Sequence, residues 1–344
     1  MRPFQAAILI GFGCLVASDG WGQTSLEIDS PGFVGRLHDN RSNEKRQGNG
    51  VSPLALRTAP SASLFRTDAV GLNFEHVFNG AAAQKDKAMF TPRQDLCDVK
   101  DLGGHRFELT WPAKESQWKM DSTMQFDLTK ADQIDLKFRT TPRSQEEFSQ
   151  GYVAMMWASY MSRTIDRKIR FWGEEDGREG WVEFGDELEG DQIEVGTVAH
   201  VGVPELSYEA GAETLNLIES PSKKFVTPFY FGLLDGDQDL KTTEDRYLYL
   251  VMFDQTESIR FAMWNFFRDE AGRPDTHSPA WDWQFVVRDP KVGTPYEYRM
   301  RIVVKPFEGQ AQIWEAYETW REELGGKLPS RPKASEKSQL PTFK

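Results

Sequence analysis

The chain has 344 residues and a formal net charge of −12, with 27% charged and 39% hydrophobic residues. That balance excludes a disordered chain, a collagen-like fibre and a multi-pass membrane protein. The acidic excess argues against nucleic acid or an anionic membrane as a main partner, since both are met by basic patches. The aromatic share of 12% is high: it can fill a large core and still leave rings for a ligand surface.

Arg2 is the only charge ahead of an apolar run from Ala6 to Val16, and small residues follow at Ala17, Ser18, Gly20 and Gly22. This is the pattern of a secretory signal over 1–22. The run is shorter than the roughly 20 apolar residues of a membrane span. A secreted or periplasmic chain without membrane insertion is expected, with Cys14 raising a lipoprotein alternative. Removal of the signal leaves Cys97 as the single cysteine, so no internal disulfide can form and the domain must stand on its core. Residues 23–65 are rich in Ser, Gly, Asn, Arg and Pro without a helical or strand period, and they read as a disordered linker.

From 66 to 324 the pattern is that of strands. Asn73-Phe-Glu75-His76 comes first. Simple alternation sends Glu75 and His76 to opposite faces, which argues against a dyad; His76 could be a general base or a substrate contact, against a core histidine bonded to backbone. Met124, Phe126 and Leu128, then Ile134, Leu136 and Phe138, alternate with polar residues, as half-buried antiparallel strands do. Gly151–Tyr160 is apolar on both faces and suits a central strand. Its Trp157 and Tyr160, with Arg170 and Trp172 beyond, are candidate sugar contacts: rings stack on pyranose faces and a guanidinium binds hydroxyls or carboxylates. His200, Glu205 and Tyr208 follow on a Gly- and Pro-punctuated segment.

Further apolar runs at 225–234, 247–253 and 259–267 read as central strands. Between the first two, Asp235, Asp237 and Asp239 alternate like the opening of a calcium loop. The sixth and twelfth positions of that pattern are Leu240 and Arg246, so a solvated turn competes with a calcium site. The densest polar-aromatic segment is Asp275-Thr-His277-Ser-Pro-Ala-Trp281-Asp282-Trp283-Gln284. There His277 and Asp282 could move protons beside a Trp281–Trp283 platform. Tyr296 to Val304 alternates again, and Gln310–Leu324 carries Ile313, Tyr317, Trp320 and Leu324 on one helical stripe that Gly325-Gly326 ends. Residues 325–344, with Pro329, Pro332 and Pro341 among lysines, read as a disordered tail. The expected fold is all-β, a large antiparallel β-sandwich with one C-terminal helix.

Gly71–Phe78, Gly151–Tyr160 and His277–Phe285 resemble segments of secreted β-sandwich proteins of planctomycete-type bacteria, a group without established catalytic residues. More distantly, the size and all-β pattern are similar to the galactose-mutarotase-like supersandwich, whose enzymes use a His and an acid on a sugar ring. No mutarotase motif matches residue by residue, so the likeness implies a fold and no site. No Gly-x-Ser-x-Gly elbow, His-Glu-x-x-His, P-loop or Cys-x-x-Cys pair is present. Two readings follow. One is a carbohydrate-binding or carbohydrate-active protein, with His200, His277, Glu205 and Asp282 as acid-base candidates and no cofactor beyond calcium. Its contacts would be His76, Trp157, Tyr160, Arg170, Trp172, Trp281 and Trp283. The other is a non-catalytic extracellular binding or surface protein whose rings fill its core. The two differ in whether His200 and His277 share a cleft with exposed rings.

Overall fold

The computed structural model describes residues 25–40, 48–82, 91–148, 150–189, 192–212, 215–236 and 245–332. The signal segment, Cys14, Asp237 and Asp239 lie outside them. The chain is mostly β, in antiparallel sheets that do not close into a barrel. The largest sheet runs β11 (Arg178–Phe184), β10 (Ile169–Glu175), β14 (Phe229–Asp235), β15 (Arg246–Phe253), β18 (Tyr296–Pro306), β8 (Gln133–Pro142), β7 (Met120–Asp127), β6 (Arg106–Trp111), β5 (Asp98–Asp101), with β13 (Lys223–Phe225) on β10. A second sheet runs β12 (Gly196–Ala199), β16 (Ile259–Trp264), β17 (Ala280–Arg288), β9 (Tyr152–Ala158), β4 (Asn73–Phe78).

These two sheets face each other across the main core. Alternation decides which side chains enter it. In the β8–β18 pair, Ile134, Leu136 and Phe138 stand opposite Ile302, Met300 and Tyr298 and point inward. From the second sheet come Met155, Trp157, Phe261, Trp281, Trp283 and Phe285. The indole of Trp281 presses so closely on β14 that a Cβ at Gly232 would fall 2.0 Å from it, so the layers close there only over glycine. Cys97 is buried in this core.

β14 and β15 are apolar on both faces because a second layer covers them. The helix α1 (Gln310–Glu323) lays Ile313, Trp314, Tyr317 and Trp320 on the outward-facing Phe229, Phe231, Leu248 and Leu250. The helix stops as expected, with Gly325 at φ 78° and its N–H on the Glu322 carbonyl. No helix among the described residues is long and apolar enough to cross a membrane.

Two expected disordered segments are corrected. Within 23–65 lie β1 (Ser25–Asp29), β2 (Phe33–His38) and β3 (Gly50–Leu56), a three-stranded sheet. Its Leu26, Ile28, Phe33, Leu37, Val51, Leu54 and Leu56 are all buried in the main core. Each strand is too short and too diluted by Ser, Gly and Arg to show a period alone; burial against the sandwich orders it. In the tail, Leu328 packs under α1, and Pro329 takes the Tyr317 hydroxyl at 2.7 Å. Residues 333–344 lie outside the described residues.

Candidate functional site

The site starts from an irregularity in β4. Phe74 pairs with Trp157 and His76 with Met156, so two steps of β4 oppose one step of β9 and Glu75 is the extra residue. A bulge of this kind re-aims side chains. It undoes the alternation that would part Glu75 from His76: both line one cavity of about 200 Å³, with His76 Nε2 3.9 Å from Glu75 Oε2. Met156, Tyr160, Leu215, Asn216, Phe266 and Phe267 complete its wall. Sequence alternation therefore missed the dyad because it presumed an unbroken strand.

Glu75 is 2% exposed and His76 4%. A buried carboxylate needs donors, and Glu75 has several. The Tyr160 hydroxyl donates at 3.1 and 3.2 Å to its two oxygens, Asn73 Nδ2 reaches Oε1 at 3.4 Å, and Arg93 Nη1 pairs with Oε1. Arg93 stands eighteen residues on, beyond a break in the described chain, and no sequence pattern connected it to Glu75. On the other side of the ring, Asn216 Nδ2 lies 2.7 Å from His76 Nδ1, and Gln284 Nε2 holds the Asn216 carbonyl at 2.9 Å. With Asn216 donating, the neutral imidazole carries its proton on Nε2, toward Glu75. Asn216 Oδ1 is buried without a hydrogen-bond partner among the described residues.

The rim is aromatic. Phe266 is 50% exposed and lies parallel to Trp264 at 6.0 Å; Phe267 packs edge-on to Tyr160 at 5.7 Å beneath the Arg66 guanidinium at 3.9 Å. Under the site, Asp282 is wholly buried and accepts the Ser159 N–H at 2.8 Å. Burial pushes its carboxyl well above the ordinary range; the Ser159 N–H pulls the other way and the charge of Glu75 adds to the rise, so the protonated form is favoured. The site thus combines an ionisable carboxylate, an imidazole, a phenol and an unused acceptor around a space that would hold about seven waters.

Of the residues expected from sequence, His76 and Tyr160 enter this cavity, and Asp282 lies beneath it. The others do not. Trp157, Trp281 and Trp283 are completely buried core residues. Trp157 and Trp283 stack at 5.6 Å, and the indole N–H groups of Trp281 and Trp283 go to the Arg167 carbonyl and the Tyr298 hydroxyl. They are not platforms, because β9 and β17 are central and these positions face the opposing sheet. Arg170 is 3% exposed on β10, where Asp166 and Glu183 hold it at 2.6 and 2.7 Å. Trp172 lies under α1 against Trp181 and Trp314.

His200 and His277 do not form a pair. His200 follows Ala199, which pairs with Arg260 and through it with Gln284, so it sits near the Phe285–Arg288 end of β17. His277 precedes the other end and binds the Thr164 carbonyl at 2.6 Å. At about 3.4 Å per residue the two are separated by roughly 17 Å of strand. His200 lines a separate open groove of about 700 Å³ with Glu257 and Arg288, and burial lowers its pKa. Glu205 is exposed on the following loop. In the acidic turn, Asp235 is buried at the end of β14 with its carbonyl on Arg163, and no group of three His, Cys, Asp or Glu among the described residues is placed to hold a metal.

No family model and no curated protein matches the chain. Solved structures show a distant likeness of fold. An alpha-N-acetylgalactosaminidase from Bifidobacterium bifidum is 12% identical with a TM-score of 0.42, covering 87% of this chain and 39% of that one. A GalM/aldose epimerase homologue from C. elegans is 10% identical with a TM-score of 0.34, covering 83% and 99%. A 4-alpha-glucanotransferase from Thermococcus litoralis is 9% identical with a TM-score of 0.38, covering 81% and 37%. The chain therefore spans well under half of the galactosaminidase and the glucanotransferase. Likeness at this level concerns the fold alone.

Proposed function

We propose that the cavity between β4, β9 and the loop after β16 binds one neutral sugar ring, and that Glu75 and His76 move a proton on it. One observation carries the reading: the bulge at Glu75 sets a buried carboxylate and an imidazole side by side in a concave site. A hydroxylated ring suits the surroundings. Its hydroxyls can donate to Glu75 and to the unused Asn216 Oδ1, and its apolar face can lie on Phe266. The acid-base roles belong to Glu75 and His76, with Tyr160 and Arg93 holding the carboxylate in place and Asn216 fixing the tautomer. The volume admits a single ring, so a chain terminus or a monosaccharide is the ligand class. In the same reading the apolar segment at the N-terminus directs export, which the N-terminal residue of the protein recovered from its host's exterior tests.

A binding role without turnover draws on a different observation: Arg93 and Tyr160 already engage the Glu75 carboxylate. One experiment separates the two. Titrate the full chain with a monosaccharide panel, and follow sugar carbon-hydrogen exchange and anomer interconversion by NMR in heavy water. Binding with exchange that Glu75→Gln abolishes supports the proton-transfer reading. Binding without exchange supports the binding role. No binding by any sugar overturns both.

A further inference from the structure

The loop that offers Phe266 and Phe267 to the first cavity continues through Asp269, Arg273, Pro274 and Thr276, which close a second one of about 290 Å³ against Glu187, Leu188, Gln192 and Ile193. Arg167 lines it. This residue is 7% exposed and anchored from behind, since its carbonyl receives the Trp281 indole N–H at 2.9 Å. Its Nη2 donates to Thr276 Oγ1 at 2.8 Å and its Nη1 to Glu187 at 3.3 Å, while its buried Nε has no hydrogen-bond partner among the described residues. A guanidinium this deep in the protein is costly unless well paired. The acid it meets is a poor partner: the Glu187 side chain is 82% exposed and, among the described residues, reaches Arg167 by one contact at 3.3 Å. A second cation, Arg273, stands on the same wall, where Asp269 holds it at 2.8 Å.

We propose that this cavity is a binding site for a small organic carboxylate. The planar fork of Arg167 takes the carboxylate, a geometry guanidinium groups favour. Arg273, already paired with Asp269, adds a second guanidinium donor, and Thr276 a hydroxyl. Glu187 is the resident competitor: it meets Nη1 in the empty site and swings to solvent when a carboxylate enters. The site is independent of the sugar reading, since it shares no lining residue with the first cavity.

The test uses the full chain, D-glucuronate as probe and D-glucose as its neutral counterpart, with binding read by titration calorimetry at low and high salt. Glucuronate is expected to bind more weakly as salt rises. Glu187→Gln should tighten it about two- to fivefold, the value of removing one exposed ion-pair competitor. Arg273→Ala should weaken it, and Glu75→Gln should leave it unchanged. Arg167→Lys should weaken it about tenfold by removing the fork; if that variant unfolds, Glu187→Gln and Arg273→Ala decide. Glucuronate binding that is insensitive to salt, no binding of glucuronate, no tightening in Glu187→Gln, or loss in Glu75→Gln each overturns the proposal.

Discussion

Replacing Trp157 by Ala separates a core ring from a ligand platform. Trp157 is completely buried, stacked on Phe74 at 4.8 Å and on Trp283 at 5.6 Å, edge-on to Phe138 at 4.6 Å, with its indole N–H on Met124 Sδ at 3.2 Å. Truncating such a ring removes its transfer free energy and leaves a cavity that rigid strands on every side cannot close, a cost of about 4 kcal/mol. At about 2.1 cal/mol/K per residue the unfolding entropy of 344 residues is about 0.7 kcal/mol/K. The expected fall in Tm is therefore about 6 °C, read by calorimetry or intrinsic fluorescence. Phe266→Ala is the matching control. That ring is 50% exposed, and its loss should change stability by less than about 0.5 kcal/mol, under 1 °C. It should weaken sugar binding about fivefold, the value of one stacked ring. The reasoning is refuted if Trp157→Ala shifts Tm no more than Phe266→Ala, or if it abolishes sugar binding at unchanged Tm.

Three further outcomes are expected. Asp282 is protonated in the folded protein at a pH where an unfolded Asp is ionised. Its contribution to stability therefore falls as pH rises from about 4 toward its raised value. Asp282→Asn keeps the acceptor for Ser159 without that penalty, so its Tm advantage over the parent should widen between pH 4 and pH 7; parallel curves would count against a buried neutral acid. Glu219 is the buried partner of Arg260, with side chains 5% and 2% exposed. Glu219→Gln strands that guanidinium and should cost about 3–5 kcal/mol in a denaturant titration, and a loss under about 1 kcal/mol would show that Arg260 is otherwise satisfied. His200→Gln and His277→Gln should each leave sugar affinity and proton exchange within about twofold, as residues outside the cavity do; a tenfold loss in either would return that histidine to the site.

The tail and linker show how far local sequence reaches. Prolines and polar residues at 23–65 carry no strand period, yet Leu37 and Leu54 end in the core because a pre-existing sandwich supplies the surface they pack on. The same gap separates the expected site from the observed one. Trp281 and Trp283 alternate with Asp282 and Gln284, so sequence places each pair on one face. It does not say which face meets another sheet, and the tryptophans turned out to be the core pair.

What the sequence determined by itself is the fold class. Period-two alternation at 134–138 and 296–304, doubly apolar runs at 225–234 and 247–253, and a single apolar helical stripe ended by Gly325-Gly326 state an all-β sandwich with one packed helix. These are local signals, because burial of one face or two is written into neighbouring residues. The site was decided only in three dimensions. One extra residue at Glu75 turns two consecutive side chains into a pair, and Arg93, Asn216, Tyr160 and Phe266 reach it from four distant parts of the chain. Pairing register and long-range convergence leave no mark on local periodicity, so the aromatic excess announced a large core while the chemistry gathered at its outer face.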